Sequence, residues 1–559
     1  MEVVTTDVLV IGCGAAGLRA AIEAAEQSVD VLLVTKGRIG AAATPMAEGG
    51  VNAAIDPRDS WEKHFEDTVR AGAFLNEQHL VEVLVKEIPS RIYELEEWGA
   101  VFSRRSDGLI AQRRFGKQSF PRTCFASDRT GHEIFTVLLS QALRTGIEII
   151  ENCFVSKLLV AEGRVWGAVA WRLRGWTPVL IRAKAVVLAT GGAGQLYEIT
   201  TTPIESTGDG IALALEAGAE VMDMEMFQFH PTGAVWPPPI RGLLITEAAR
   251  GEGGILVNKL GERFMKRYAP REMELAARDV VARAIWREVR EGRGTEHGGV
   301  YLDLRHVPCD VIRTRLSSTY RWLLRYGIDL CREPVEVSPT AHYIMGGVRI
   351  GPWGETSVKG LFAAGEVSAG VHGANRVGGN SLAECLVFGA RSGLAAARYA
   401  REHGYAPVDR GAVEAEVRRI EGFEGKGSVD PEDVRAELRS IMWRYVGVVR
   451  SGAGLGQALK EVLRLREMAR LMRVEPVNTY AVENLRLLET LNMLRVAELM
   501  IRAAIARDES RGAHYREDRP QRDDSKWLRH IVFRLDGGVL RQYLAPVTIT
   551  RLPPRGAGA

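Results

Sequence analysis

The chain has 559 residues with 73 basic and 70 acidic side chains, and a net charge of +3 leaves no footprint for a nucleic-acid polyanion. Hydrophobic residues make up 46% and charged residues 26%, which excludes a disordered chain and supplies apolar material for several domains. No apolar run reaches the roughly 18 residues of a membrane-spanning helix. The six cysteines (Cys13, Cys124, Cys153, Cys309, Cys331 and Cys385) contain no CxxC pair, so neither a disulfide framework nor a zinc or iron–sulfur site is expected.

The N-terminus, MEVVTTDVLVIG, is acidic and enters a strand at once, so no signal peptide is expected and a reducing cytoplasm is the expected compartment. DVLVIG reads as a buried strand, GCGAAG as a tight turn and AAGLRAAIEAAEQ as an Ala-rich helix. This βαβ pattern carries GxGxxG at Gly12, Gly14 and Gly17, whose backbone can approach a pyrophosphate at a helix N-terminus. The second strand ends at Thr35-Lys36 instead of the acid that a nicotinamide fold uses for ribose hydroxyls, which disfavours NAD and leaves FAD open. The next stretch, GRIGAAATPMAEGGVNAA (Gly37–Ala54), is small and almost uncharged, as suits backbone lying close against a ligand.

Two further strands end in glycine turns, AKAVVLATGGAG (Ala183–Gly194) and KGLFAAGE (Lys359–Glu366). Three such turns imply one nucleotide-binding α/β domain interrupted by insertions, the main one between about Glu225 and Pro339. From Arg401 to Arg507 the chain is helix-rich, and from Asp508 it is charged and then Pro/Gly-rich. The charge runs of these two regions read as solvated faces.

Five segments couple His, Arg or Thr to Gly or Pro where the periodicity breaks: QFHPTG (Gln228–Gly233), LLITEAARGEGG (Leu243–Gly254), LAARDVVAR (Leu275–Arg283), TAHYIMGG (Thr340–Gly347) and HGANRVGGNSL (His372–Leu382). Singly, His230 reads as a turn histidine and Arg278 as a helix-surface arginine. Together, His230, Thr246, Arg278, His342 and Arg376 form a cationic and neutral donor set suited to a small dicarboxylate.

These motifs, with AEGG, TGDG (Thr207–Gly210), YLDLRH (Tyr301–His306) and RGAHYREDRPQRDD, closely resemble the flavoprotein subunit of succinate dehydrogenase and fumarate reductase, a superfamily that also contains L-aspartate oxidase. The resemblance implies a Rossmann-like FAD-binding domain (1–225 and 340–400), an α+β capping domain (226–339), a helical domain (401–507) and a C-terminal domain (508–559). Gly12, Gly14 and Gly17 would carry the FAD pyrophosphate. Lys36 and the Gly37–Gly50 loop, including Thr44, Gly49 and Gly50, would wrap the flavin. Asp209, Glu366, Ser381 and Leu382 would complete the cofactor site. Phe115, His230, Thr246, His342 and Arg376 match substrate positions. Arg278 matches the proton donor to the substrate carbon, and Glu247 and Arg250 match its proton relay. The partners implied are membrane-anchor subunits and an iron–sulfur subunit, which would hold the chain at the cytoplasmic face of a membrane.

Two details narrow the resemblance. The loop QRRFGKQSFPRTCF (Gln112–Phe125) has Phe115 and Gly116 but no acid to hold a substrate ammonium, which leaves L-aspartate oxidase as the alternative. Lys117 replaces the family's second glycine, and an added cation there would suit a dianion. A flavin-binding subunit with a structural or electron-relay role is a third reading. Aligned on AEGG, Ala43 stands where covalent members carry a flavin-linking His, and no histidine precedes His64. The resemblance therefore implies non-covalent FAD and a bias toward fumarate reduction. TPMAEGG looks most like the fumarate reductases of anaerobic and archaeal type, including those with thiol donors.

Overall fold

The computed structural model of the chain describes residues 1–475 and 479–554; the last five residues of the expected C-terminal domain lie outside these. The central sheet has seven strands, built around Glu2–Ile11. That strand pairs in parallel with Val31–Val34 and Thr177–Leu188, and Val31–Val34 pairs in parallel with Glu148–Ile150. Val8, Leu9 and Val10 are fully buried, as expected for a parallel strand covered on both faces. The helices Ala15–Ala25 and Asn380–Glu402 supply part of that cover.

The far edge of Thr177–Leu188 is shared. Its first half pairs antiparallel with Arg164–Arg172, and its last residues pair in parallel with Leu361–Ala363. This arrangement sets the three glycine turns side by side at the carboxyl edge of the sheet, where open α/β sheets bind ligands. Gly12 sits at φ +112°, and a Cβ there would lie 2.2 Å from the Ala189 carbonyl oxygen, so only glycine lets the two strand ends meet.

A second, four-stranded sheet runs in the order Phe227–Ala234, Val335–Ile344, Val300–Asp303, Ile255–Val257. It has its own apolar core, which includes Ile245, Leu256, Ile285, Leu302 and Val337. The segment therefore leaves and re-enters the first unit through two adjacent strands. The helices Pro431–Tyr445, Gly452–Met468 and Val482–Ala506 pack against one another, and the last also packs on Asp209–Glu216.

Two expectations are corrected. Cys309 and Cys331 form a disulfide, with Cα atoms 5.4 Å apart. The helices Cys309–Arg315 and Ser317–Arg325 lie between them and bring the two ends of the segment together. The charged C-terminal run is also not a solvated face. Glu509, Arg511, His514 and Arg516 are buried, and Arg511 is paired to Glu509 at 2.6 Å. The following hairpin, Arg529–Asp536 with Val539–Pro546, joins a five-stranded sheet through Val221–Met222.

Candidate active site

Two adjoining cavities open at the carboxyl edge of the central sheet, and both are lined by Ala43, Thr44, Glu366 and Cys385. The first is elongated and runs past Gly12, Gly14, Lys36 and Asp209. Thr44 Oγ1 accepts from the Ala15 backbone N–H at 3.0 Å and fixes the small-residue loop to the N-terminus of helix Ala15–Ala25. Lys36 Nζ lies 2.6 Å from Thr207 Oγ1, 2.6 Å from Asp209 Oδ2 and 2.7 Å from Glu489 Oε1. Its ammonium therefore stays charged although burial alone would favour the neutral amine.

The first cavity fits a flavin dinucleotide. Its glycine turns leave backbone exposed for phosphates, and the Thr190 hydroxyl facing it is buried with no partner among the described residues. Glu366 is pushed up to about 7 by burial, so it can hold a proton beside a bound ring. Cys13 and Cys153 are raised to about 12 by burial and stay as neutral thiols. Gly17 does not line the cavity; a Cβ there would lie 1.8 Å from the Gly12 carbonyl oxygen, so this glycine packs the helix on the turn.

The second cavity, about 670 Å³, lies between the flavin-fold loops and the four-stranded sheet. It collects Gly49, Gly50, Phe115, His230, Thr246, Glu247, Arg278, His342, Arg376, Ser381 and Leu382. His230 comes from the strand Phe227–Ala234 and His342 from its partner Val335–Ile344; their rings meet edge-on with centroids 5.1 Å apart. Burial first, then Arg278, holds both imidazoles well below their ordinary value, so both are neutral at pH 7. The Thr232 backbone N–H donates to His230 Nδ1 at 3.2 Å, which places the ring proton on Nε2. Thr201 Oγ1 lies 2.7 Å from His342 Nδ1 and orients the second ring.

Arg278 opens the helix Arg278–Glu288, and its Nε and one terminal nitrogen each lie 2.8 Å from Glu247 Oε2. Glu247 opens the short helix Glu247–Gly251 and accepts from the Gly116 backbone N–H at 2.9 Å. Burial favours its neutral form, but Arg278 and Arg250 outweigh it and lower the carboxyl to about 2. Arg250 stands behind Glu247 at 3.8 Å and does not line the cavity; burial lowers its pKa. A Cβ on Gly378 would lie 2.9 Å from the Arg278 guanidinium and 3.0 Å from Phe115, so this glycine leaves room for both.

Gln228 was not singled out in the sequence, yet its Oε1 accepts from Arg278 at 2.9 Å and from Arg376 at 3.1 Å. Its Nε2 donates to Asn375 Oδ1 and the Arg376 carbonyl, each at 2.8 Å, which fixes the amide orientation. Tyr343 was also missed; the Arg376 guanidinium lies over its ring, 4.2 Å from the centroid. The only signal for either was its place inside a quoted motif. Lys117 corrects another expectation. Its Nζ lies 3.3 Å from Glu272 Oε1 on the outside, with 39% of the side chain exposed, and adds no cation to the cavity.

Residues 7–382 match the family described as FAD binding domain, and residues 435–557 match the fumarate reductase flavoprotein C-terminal family. The chain belongs to the fumarate reductase/succinate dehydrogenase flavoprotein family, and so to the FAD-dependent oxidoreductases. It is 49% identical to one of the subunits of the CoM/CoB fumarate reductase of Methanothermobacter marburgensis, over 95% of this chain and 97% of that one. It is 40% identical to the fumarate reductase flavoprotein subunit of Escherichia coli, over 99% and 96%. A solved structure of the flavoprotein of Escherichia coli quinol fumarate reductase superposes with a TM-score of 0.93 at 39% identity, covering 99% of this chain and 98% of that one. No helix among the described residues is long and apolar enough to cross a membrane.

Proposed function

We propose that this chain reduces fumarate to succinate, with Arg278 as the proton donor and a non-covalently held FAD. The observation that carries the reading is the neighbouring pair of buried arginines. Arg278 and Arg376 share the Gln228 carbonyl oxygen, and two neutral histidines face the same cavity. A dianion with one carboxylate at Arg376, His342 and His230 would set its double bond beside Arg278.

When bound, FAD supplies the hydride chemistry of this family. The residues of the chain do the rest. Fixed cations and N–H donors polarise the alkene and stabilise the charge that develops on the substrate. An arginine ordinarily holds its proton above pH ~12, so it serves as an acid only toward a stronger base, such as a substrate carbanion. Glu247, ionised at rest and in contact with Arg278, would take up a proton along a route through Arg250 behind it and pass it to Arg278, which restores the acid. Phe115 and the segment 226–339, acting as a cap, exclude water from the reacting carbons.

The cofactor is held by Gly12, Gly14, Lys36, Thr44, Gly49, Gly50, Asp209, Glu366, Ser381 and Leu382. Ala43 lines both cavities and offers no nucleophile for a flavin bond, which favours a low flavin potential and the reductive direction. Electrons would come through an iron–sulfur subunit, since no cluster of metal-ligating residues occurs among the described residues. Anchor subunits would place the complex at the cytoplasmic face of a membrane. The absence of an acid in the Phe115 loop speaks against an amino-acid substrate.

The test is fumarate-dependent oxidation of a reduced dye by the purified FAD-loaded protein. Turnover with fumarate is expected, and no turnover with fumarate sinks the reading. Acid precipitation of the same sample should leave the yellow flavin in the supernatant; flavin in the pellet would refute the role given to Ala43.

A further inference from the structure

Arg376 is a buried cation with no carboxylate partner among the described residues. Its side chain bonds only to Gln228 Oε1 and, at 3.2 Å, to Ser381 Oγ, and its Nε has no partner. Burial, then the like charge of Arg278, lowers its pKa to about 10. At that value the guanidinium stays charged near neutral pH, and its direction is set by the few groups it touches. Its third neighbour is the face of Tyr343, 4.2 Å from the guanidinium carbon.

Behind that ring stands a second unusual group. Glu384, one turn into the helix Asn380–Glu402, is fully buried and has no arginine or lysine partner among the described residues. The Tyr343 hydroxyl donates to Glu384 Oε2 at 2.8 Å. His372 Nε2 lies 2.8 Å from the same oxygen and 3.2 Å from the Tyr343 hydroxyl, and Ser368 Oγ lies 3.4 Å from Glu384 Oε1. Carboxylate, phenol ring and guanidinium therefore form one stack. A phenol that donates to an ionised acceptor gains electron density on its ring face, and a cation over that face is held more strongly in a site without water.

We propose that Glu384 is a positioning residue that acts through Tyr343 to hold Arg376 aimed at the substrate carboxylate. The inference rests on the dicarboxylate role given to Arg376 above. Burying a carboxylate that meets no arginine or lysine is costly, and this stack gives the cost a use. His372 meets the same oxygen and also lies beside the phenol hydroxyl, so carboxylate, phenol and imidazole tie one another in place.

The test uses the FAD-loaded protein and two readouts: the KM for fumarate, and the dissociation constant of malonate from the shift it causes in the bound-flavin spectrum. Glu384→Gln and Tyr343→Phe should each raise both by about tenfold, with a smaller change in kcat, as expected for loss of about one strong charged contact. Glu384→Asp should recover part of the affinity. The double variant should be no worse than the worse single one, because both act along one path. Unchanged malonate affinity in both single variants overturns the proposal, and so do losses that multiply in the double variant. Arg376→Ala is measured in parallel. If it leaves malonate affinity intact, the role of Arg376 itself is wrong; if it weakens binding while the other two do not, only the Glu384 proposal fails.

Discussion

Arg278 meets Glu247 through two nitrogens at 2.8 Å, both directed at the single oxygen Oε2. The other oxygen takes the Gly116 N–H. In the roles proposed for them, the acid and the base that recharges it are in contact before substrate arrives. Arg278→Ala should lower kcat for fumarate by ~10²–10⁴-fold or more, within the range of positioned proton transfer. Glu247→Gln should also lower kcat strongly while FAD content is retained. Because Glu247 titrates near 2, it should produce no acidic limb in kcat/KM above about pH 4. Dye-linked initial rates across pH check both statements.

His530 is buried between Asp223, at 2.6 Å, and Glu77, at 3.0 Å. Burial lowers its pKa, but the two carboxylates outweigh it and raise it to about 9. A folded-state value above the unfolded one gives stability that is fully present below about pH 6.5 and lost as pH rises through 9. The size is on the order of 3 kcal/mol. Denaturant midpoints should therefore fall between pH 6.5 and 9, and His530→Gln should flatten that slope. An unchanged slope in the variant would remove His530 as its source.

Lys117 pairs with Glu272 on the surface, away from the substrate cavity. Exposed pairs of this kind contribute about 0–1 kcal/mol. Lys117→Ala should change the KM for fumarate by less than about threefold. A large increase would return Lys117 to the substrate site.

The disulfide between Cys309 and Cys331 closes a segment of sequence separation 22. On the chain-entropy account, a loop of this size stabilises the fold by about 3 kcal/mol. Replacing both cysteines by serine should lower the unfolding free energy of the oxidised protein by about 2–4 kcal/mol. Equal stability of the oxidised parent and the double variant would show that the pairing contributes nothing.

The cofactor fold was legible in the sequence because its demands are local. A strand must end in a glycine where backbone meets phosphate, and Gly12 and its counterparts lie next to the strands they terminate. His230, Arg278, His342 and Arg376 were legible as motifs, each broken out of a helical or strand pattern. What joins them was not. Gln228 meets Arg376 across 148 positions, and nothing in the spacing of either residue signals a shared oxygen. The cysteine pair depends on a fold-back of two short helices. Lys117 was named as a charge, but its direction is set by Glu272 in another unit, which composition cannot reveal. The C-terminal charges read as solvent-facing because burial of Arg511 requires Glu509 to meet it inside the fold.

Lys36 lies two residues past the second strand of the nucleotide fold, yet one of its three partners, Glu489, belongs to the helix Val482–Ala506. Glu489 in turn holds Arg435 of the helix Pro431–Tyr445, at 2.9 Å. Lys36 also lines the first cavity, while its three ammonium protons are taken by Thr207, Asp209 and Glu489. A nucleotide seated there would therefore meet a charge whose position the helical bundle sets through Glu489. Linkage would make that coupling mutual: whatever free energy the nucleotide contributed to docking of the bundle, docking would return to nucleotide affinity.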